Sequence, residues 1–322
     1  MRVLITGISG FAGGHLAEFL LGRKGVEIYG TMREGSKLNG FPFPKDRIRL
    51  RTCDLRDPSA VRAVLSEVKP DRLFHLAGQT FVPDSWKDPG RTFDANVIGE
   101  LNLFEAARHL GLKTRVHVAC SSDEYGAVLP GDLPIDESVP LRPLSPYAVS
   151  KAAQDLLAYQ YFHSFGFSVV RTRAFSHTGP RQREMFAASS FARQIALVEA
   201  GKQKPEIYVG NLEAVRDFSD VRDIVRAYWL ALEKGEPGEV YNICSGRGRK
   251  IAEVLDALFS MTRARIKIKK DPSRMREADV PALVGDASKF RKRTGWKPAV
   301  PFKRTLSDLL SHWRKNVRAR AV

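Results

Sequence analysis

Residues 2–14 read RVLITGISGFAGG. RVLIT is a run of aliphatic and β-branched side chains, the pattern of a buried strand, and FAGGHLAEFLL after it has the pattern of a helix. Between them Gly7, Gly10 and Gly13 stand at G-x-x-G-x-x-G spacing. A glycine turn that leaves a strand and opens a helix lets the backbone approach a pyrophosphate closely. The positive end of the helix then faces that anion. Gly7, Gly10, Phe11, Ala12 and Gly13 are therefore candidate cofactor-binding residues.

The pattern continues outward. VEIYGTM and RIRLRTCDL read as strands, PSAVRAVLSEVKP as a helix, RLFHLAG as a strand, and TFDANVIGELNLFEAARHLG as a helix. RVHVACS, the long helix SPYAVSKAAQDLLAYQYFHSFG and the strand FSVVRTRAF follow. Alternating apolar strands and helices predict an α/β fold, a Rossmann-type doubly wound parallel sheet covered on both faces. Past residue 176 the alternation breaks, then DVRDIVRAYWLALEKG and EVYNICSG return to it. The expected organisation is a dinucleotide-binding domain over residues 1–175 plus about 219–245. A smaller α/β C-terminal lobe over about 176–218 plus 246–322 binds substrate. Ligands of open α/β sheets sit outside the carboxyl ends of the strands, so the loops there hold the candidate site.

The chain has 322 residues, 43% hydrophobic, enough for a core. Cys53, Cys120 and Cys244 are too widely separated for a disulfide framework or a metal site, which suits a reducing cytoplasm. No apolar run spans a bilayer, and MRVLITGISG lacks an export pattern. The net charge of +16 raises nucleic acid as a partner. The basic residues are spread along the chain, with clusters at 267–270, 289–293 and 313–320 and no nucleic-acid-binding motif beside them. A solvated surface that attracts anionic ligands is the expectation, with no nucleic acid, membrane or metal partner.

At the tip of the second strand an acid would bond the 2′-hydroxyl of NAD. This chain has Arg33 there, which favours NADP(H), with NAD(H) as the alternative and Glu34 nearby. Asp54 is a candidate acceptor for the adenine amino group and Leu55 a candidate packing partner; a helix cap is the other reading of Asp54. Leu76, Ala77 and Gly78 place small groups and backbone beside the cofactor, whereas His75 in its apolar strand reads as a core histidine.

Tyr147 and Lys151 lie four apart at a helix start and so share a face. A free tyrosine titrates at about 10. A neighbouring ammonium lowers that value, and Ser121 at the end of RVHVACS can hold the substrate oxygen. Together these three groups move a proton at a carbinol oxygen while a nicotinamide exchanges hydride with its carbon.

With these motifs the chain resembles the extended short-chain dehydrogenase/reductases over nearly its whole length. HTGPRQ, GNLEAVRDFSDVRDIVRAYW, EVYNICSG and DPSRMREADVPALVGDASK resemble the branch of GDP-mannose 4,6-dehydratases and GDP-4-keto-6-deoxy-D-mannose reductases. The resemblance implies a GDP-sugar substrate and a homodimer formed through the Tyr147/Lys151 helix. It implies cofactor contacts by Tyr147, Lys151 and His177, and diphosphate contacts by Arg181, Arg216 and Arg276. Asp279 would hold a ribose hydroxyl, and Gln79, Ser122, Ser176 and Asn211 join the implied substrate contacts. Ser176 stands where many relatives carry asparagine.

The dehydratases carry a glutamate base two residues after the catalytic hydroxyl. Here that position is Asp123, one methylene shorter, and Glu124 occupies a position that is usually apolar. RDFSDVRDIV, GFAGG and PRQ also look closer to the reductases. Reduction of a 4-ketone, with Asp123 as an orienting group, is the leading expectation. Dehydration with Asp123 as base, an epimerase or reductase of another nucleotide sugar, and a non-catalytic NADP-binding regulator are the alternatives.

Overall fold

The opening strand and helix form where the sequence predicts them, β1 over Arg2–Thr6 and α1 over Phe11–Leu21. The computed structural model describes residues 1–319 apart from 39, 42, 45 and 276–279. Strands β2 (Glu27–Met32) and β3 (Ile48–Thr52) lead into α2 (Pro58–Val68). Asp57 starts α2 by accepting hydrogen bonds from the Ser59 and Ala60 N–H groups at 2.9 and 3.2 Å, with Pro58 at the first helical position. The cap is thus Asp57, not Asp54.

After β4 (Arg72–His75) the expected single helix is interrupted. Pro89–Phe93 is α-helical, Asp94–Ile98 forms a π turn, and α3 continues over Gly99–His109. Next come β5 (Arg115–Ser121), α4 (Pro146–Phe165) and β6 (Val169–Ala174). Ser145 caps α4 through the Ala148 N–H at 3.1 Å, and Gly166 ends it in the left-handed conformation. The cap puts Tyr147 and Lys151 in the first two turns. Helix α5 (Ala187–Glu199) belongs to the second lobe; α6 (Val221–Lys234) and β7 (Val240–Ile243) return to the first. Helices α7 (Ser288–Thr294) and α8 (Phe302–Ala319) complete the main elements.

The sheet order is β7-β6-β5-β4-β1-β2-β3, and every neighbouring pair is parallel. The chain builds β1, β2 and β3 in one direction, then crosses to β4 on the other side of β1. The crevice of such a sheet opens where the order reverses. It therefore lies at the carboxyl ends of β1 and β4, between the glycine turn and residues 76–78. One core cluster joins α1 and α6 to the sheet; another joins α2 and α3 to its opposite face. In the second lobe α5 packs on α8, and the Trp313 indole N–H donates to Ser189 Oγ at 2.9 Å.

One part of the C-terminal stretch departs from the expected division. Ala287, Phe290 and Trp296 are fully buried in the core that holds α6, and the Trp296 indole N–H donates to the Asp223 carbonyl at 3.0 Å. The large aromatics in and after α7 find their apolar partners on the first lobe.

Candidate active site

Gly7 takes φ +69°, and a Cβ on it would lie 2.7 Å from the Ala77 Cα. A Cβ on Gly13 would lie 2.3 Å from the Gly7 carbonyl oxygen. The turn is therefore closed to side chains at both positions. Gly10 stands at the N-cap of α1 without a capping side chain, and the first turn of α1 holds no acid. Such a helix start leaves backbone N–H groups for an anion, so the residues fit a dinucleotide pyrophosphate. The Phe11 ring stacks on His177, with centroids 6.1 Å apart and 6° between planes. His177 Nδ1 bonds the Phe175 carbonyl at 3.0 Å, and burial lowers the pKa of its ring. Gly13→Ala is expected to weaken NADPH binding by about tenfold or more, equivalent to ~1.4 kcal/mol. Titration of NADPH fluorescence on the folded variant checks this.

Arg33 is exposed just beyond β2, near Asp54, whose carboxylate it helps to stabilise. Hydrogen bonds from Arg56, at 2.6–3.1 Å, engage both Asp54 oxygens and hold its pKa at about 2. The expected adenine acceptor thus has an arginine partner, the nearest strong donor in its own turn. Leu55 is buried in the core on the α2–α3 side, with its side chain against Gly99.

Residues 76–79 are held from both sides. Thr6 Oγ1 accepts from the Leu76 and Ala77 N–H groups at 3.1 and 3.2 Å. Asn96, in the π turn, accepts from the Gln79 N–H at 2.7 Å. It donates to the Gln79 carbonyl at 3.1 Å and to Ser150 Oγ at 2.8 Å. Ser150 in turn donates to the Tyr147 carbonyl at 2.7 Å. Asn96 thus joins the loop after β4 to the tyrosine helix, a role the sequence reading missed. The only sequence signal was one amide inside the apolar pattern DANVIG, and π turns are frequent at functional sites. Gly78 is exposed at the tip of this loop. The buried Gln79 Oε1 has no hydrogen-bond partner among the described residues.

Ser121 ends β5; its hydroxyl accepts from the Asp123 N–H at 3.2 Å and lies near enough to Tyr147 to act on the phenol. Burial, and then the charge of Asp123, push the Tyr147 pKa above the ordinary tyrosine value. The expected lowering by Lys151 is not found. The Lys151 ammonium is turned to the Ala119 carbonyl at 2.6 Å and to Gln154 Oε1 at 2.7 Å, and burial dominates at the phenol. His75 is a core histidine, as its apolar strand suggests. It is bonded to Thr6 Oγ1 at 2.9 Å and Gln154 Nε2 at 3.1 Å, and burial depresses its pKa to about 3.

Glu124, the acid at a usually apolar position, is fully buried. Its Oε1 accepts from the Ser121 N–H at 2.7 Å, and its Oε2 lies 3.4 Å from Arg173 Nε. Arg173 also pairs with Asp155 at 2.7 Å and bonds the Tyr125 hydroxyl at 3.1 Å. Glu124 therefore fixes the turn that carries Ser121 and Asp123. Cys120 joins Glu124 and Asp155 in a close cluster, but Arg173 already supplies the positive charge there, and burial raises the thiol pKa.

Among the implied substrate contacts, Ser122 is buried in the turn after β5, and Ser176 offers its carbonyl to the Ser219 N–H at 2.9 Å. Asn211 Oδ1 accepts from the Glu213 N–H at 3.0 Å, and Arg216 Nη1 donates to the Val215 carbonyl at 2.9 Å. Arg181 pairs with Glu18 of α1 at 2.8 Å and lies over the Phe41 ring at 4.3 Å. Arg276 and Asp279 lie outside the described residues. Among those described, no helix is long and apolar enough to cross a membrane.

The family model described as GDP-mannose 4,6 dehydratase matches residues 4–309. The chain is 37% identical to GDP-6-deoxy-D-mannose reductase of Pseudomonas aeruginosa over 98% of each chain. It is 32% identical to a GDP-mannose 4,6-dehydratase of Vibrio cholerae serotype O1, over 99% of this chain and 95% of that one. The solved structure of RMD from Pseudomonas aeruginosa complexed with NADPH superposes with a TM-score of 0.85 at 35% identity, covering 98% of this chain and 99% of that one. The glycine turn, the Ser121–Tyr147 pair and Lys151 thus sit in a chain that belongs to the GDP-mannose 4,6-dehydratase family of extended short-chain dehydrogenase/reductases.

Proposed function

We propose that the chain is an NADPH-dependent reductase that converts the C4 ketone of GDP-4-keto-6-deoxy-D-mannose to the alcohol, giving GDP-D-rhamnose. The observation that carries this reading is Tyr147, buried beside Ser121 at the end of β5, with Lys151 one turn along the same helix. A phenol that keeps its proton at neutral pH is in the form a reduction needs, because the nascent alkoxide must be protonated. Similarity along almost the whole chain to a GDP-6-deoxy-D-mannose reductase supports the substrate class.

When bound, the reduced nicotinamide supplies the hydride. The chain's own groups do the rest. Ser121 donates to the ketone oxygen and orients it, and Tyr147 gives that oxygen its proton. Lys151 holds the nicotinamide ribose. Arg33, with no acid on the same strand tip, meets the 2′-phosphate and favours NADPH over NADH. Asp123 sits beside Tyr147 and favours its protonated form.

The deciding experiment adds purified protein to GDP-4-keto-6-deoxy-D-mannose, follows NADPH absorbance and identifies the sugar formed. Oxidation with GDP-D-rhamnose as product is expected. The second reading, dehydration with Asp123 as base, rests on the nearness of Asp123 to Tyr147. It predicts loss of water from GDP-mannose with catalytic NADP⁺. Asp123→Asn separates the two: the reductase should keep activity within about tenfold, whereas losing a general base costs about 10²–10⁴-fold.

We further propose a homodimer through α4. Val149, Leu156 and Tyr159 are 40, 60 and 45% exposed along that helix, and Ile98 and Trp86 are exposed on segments packed beside it. Leu156→Arg is expected to give monomers in sedimentation. The three buried free thiols suit a reducing cytoplasm.

A further inference from the structure

Lys151 is tied into a buried hydrogen-bond chain that no motif in the sequence announces. Its ammonium donates to Gln154 Oε1 at 2.7 Å, one turn along α4. The Gln154 amide N–H groups reach Glu100 Oε2 of α3 at 2.5 Å and His75 Nε2 of β4 at 3.1 Å. His75 Nδ1 lies 2.9 Å from Thr6 Oγ1, a hydrogen bond whose direction follows the tautomer of the ring. That same oxygen takes the Leu76 and Ala77 N–H groups. Gln154, Glu100 and Thr6 are fully buried and His75 nearly so.

The chain fixes the amide of Gln154 in one orientation. Its oxygen faces Lys151 because both of its donors are engaged elsewhere, and a flipped amide would set two donors against the ammonium. A buried ammonium is costly unless every donor finds an acceptor. The Ala119 carbonyl and Gln154 Oε1 provide two acceptors, which leaves one N–H direction for other contacts.

We propose that Gln154 is a positioning residue for Lys151, and that the Glu100–Gln154–His75–Thr6 chain sets the lysine in register with the loop at residues 76–77. Lysine and loop belong to different elements, α4 and the end of β4, and this chain is a direct polar link between them. The inference rests on the proposed role of Lys151 at the nicotinamide ribose, but it holds for either sugar reaction, since reduction and dehydration both need that hold.

The test uses the full-length protein and the isosteric apolar variant Gln154→Met. NADPH affinity is expected to fall about tenfold and kcat by about 10²-fold, the scale on which a misplaced group acts, while KM for the keto sugar stays near the wild-type value. Gln154→Glu alone would set a carboxylate oxygen against Glu100 Oε2, so the rescue is the exchange Gln154→Glu with Glu100→Gln, which returns an acceptor to Lys151 and a donor between the two helices and should recover most of both losses. Unchanged NADPH affinity and kcat in folded Gln154→Met would overturn the proposal. So would equal losses in Gln154→Met and in the exchanged Gln154→Glu, Glu100→Gln variant, which would mark a packing role. If Gln154→Met does not fold, Gln154→Asn, which keeps the amide but withdraws it by one methylene, is judged by the same two readouts. Wild-type protein that binds NADPH without oxidising it on the keto sugar would sink the reductase reading alone, because the affinity comparison needs no sugar.

Discussion

Tyr147→Phe is expected to lower kcat for ketone reduction by about 10²–10⁴-fold, the range for removing a positioned general acid. NADPH affinity should be unchanged. The phenyl ring fills the same buried place at the start of α4, so only the hydroxyl is lost. Ser121 keeps its bond from the Asp123 N–H and with it its orientation. The remaining hydroxyl can still hold the ketone but cannot replace a donor on the tyrosine side. Steady-state kinetics and an NADPH titration on the same preparation give both numbers. Near-wild-type turnover would remove Tyr147 from the mechanism.

The largest stability effect is expected at Asp155. This fully buried carboxylate pairs with Arg171 and Arg173, both on β6, and Arg173 also serves Glu124 and Tyr125. Asp155→Asn keeps the size but takes the carboxylate from the buried Arg171 and leaves Arg173 with Glu124 alone. Breaking a buried pair from one side costs about 3–5 kcal/mol. That is a large part of a domain's stability of about 5–15 kcal/mol. Denaturant unfolding should show the midpoint falling. Activity should fall before unfolding begins, since Arg173 and Glu124 hold the turn that carries Ser121. A midpoint within about 0.5 kcal/mol of wild type, the size of an ordinary surface substitution, would show that the cluster relaxes with little cost.

What was legible in the sequence was what short stretches decide. RVLIT and the glycines after it specify a strand, a turn and a helix within a dozen residues, and SPYAVSK carries its own cap and sets Tyr147 and Lys151 on one helix face. Long-range contacts were not legible. Asn96 looks like any helix residue until a π turn brings it to Gln79 and Ser150. Gln154 and Glu100 are ordinary helix residues 54 positions apart, and only the packing of α3 beside α4 makes them partners. The pairing of Arg181 with Glu18, 163 positions away, is another contact of this kind. Spacing shows that lysine and tyrosine share a face, but not that burial outweighs charge at the phenol.

The return of β7 to the first sheet has a consequence for synthesis on the ribosome. β6 lies between β5 and β7. Until Val240–Ile243 has emerged, one edge of β6 has no strand beside it, although more than 60 residues separate the two strands in the chain. Over that interval the growing chain carries an open apolar edge, the template on which wrong strands pair. Nascent chains released before β7 should therefore be caught by chaperones or aggregate, and the two lobes, interleaved as they are, should mature together.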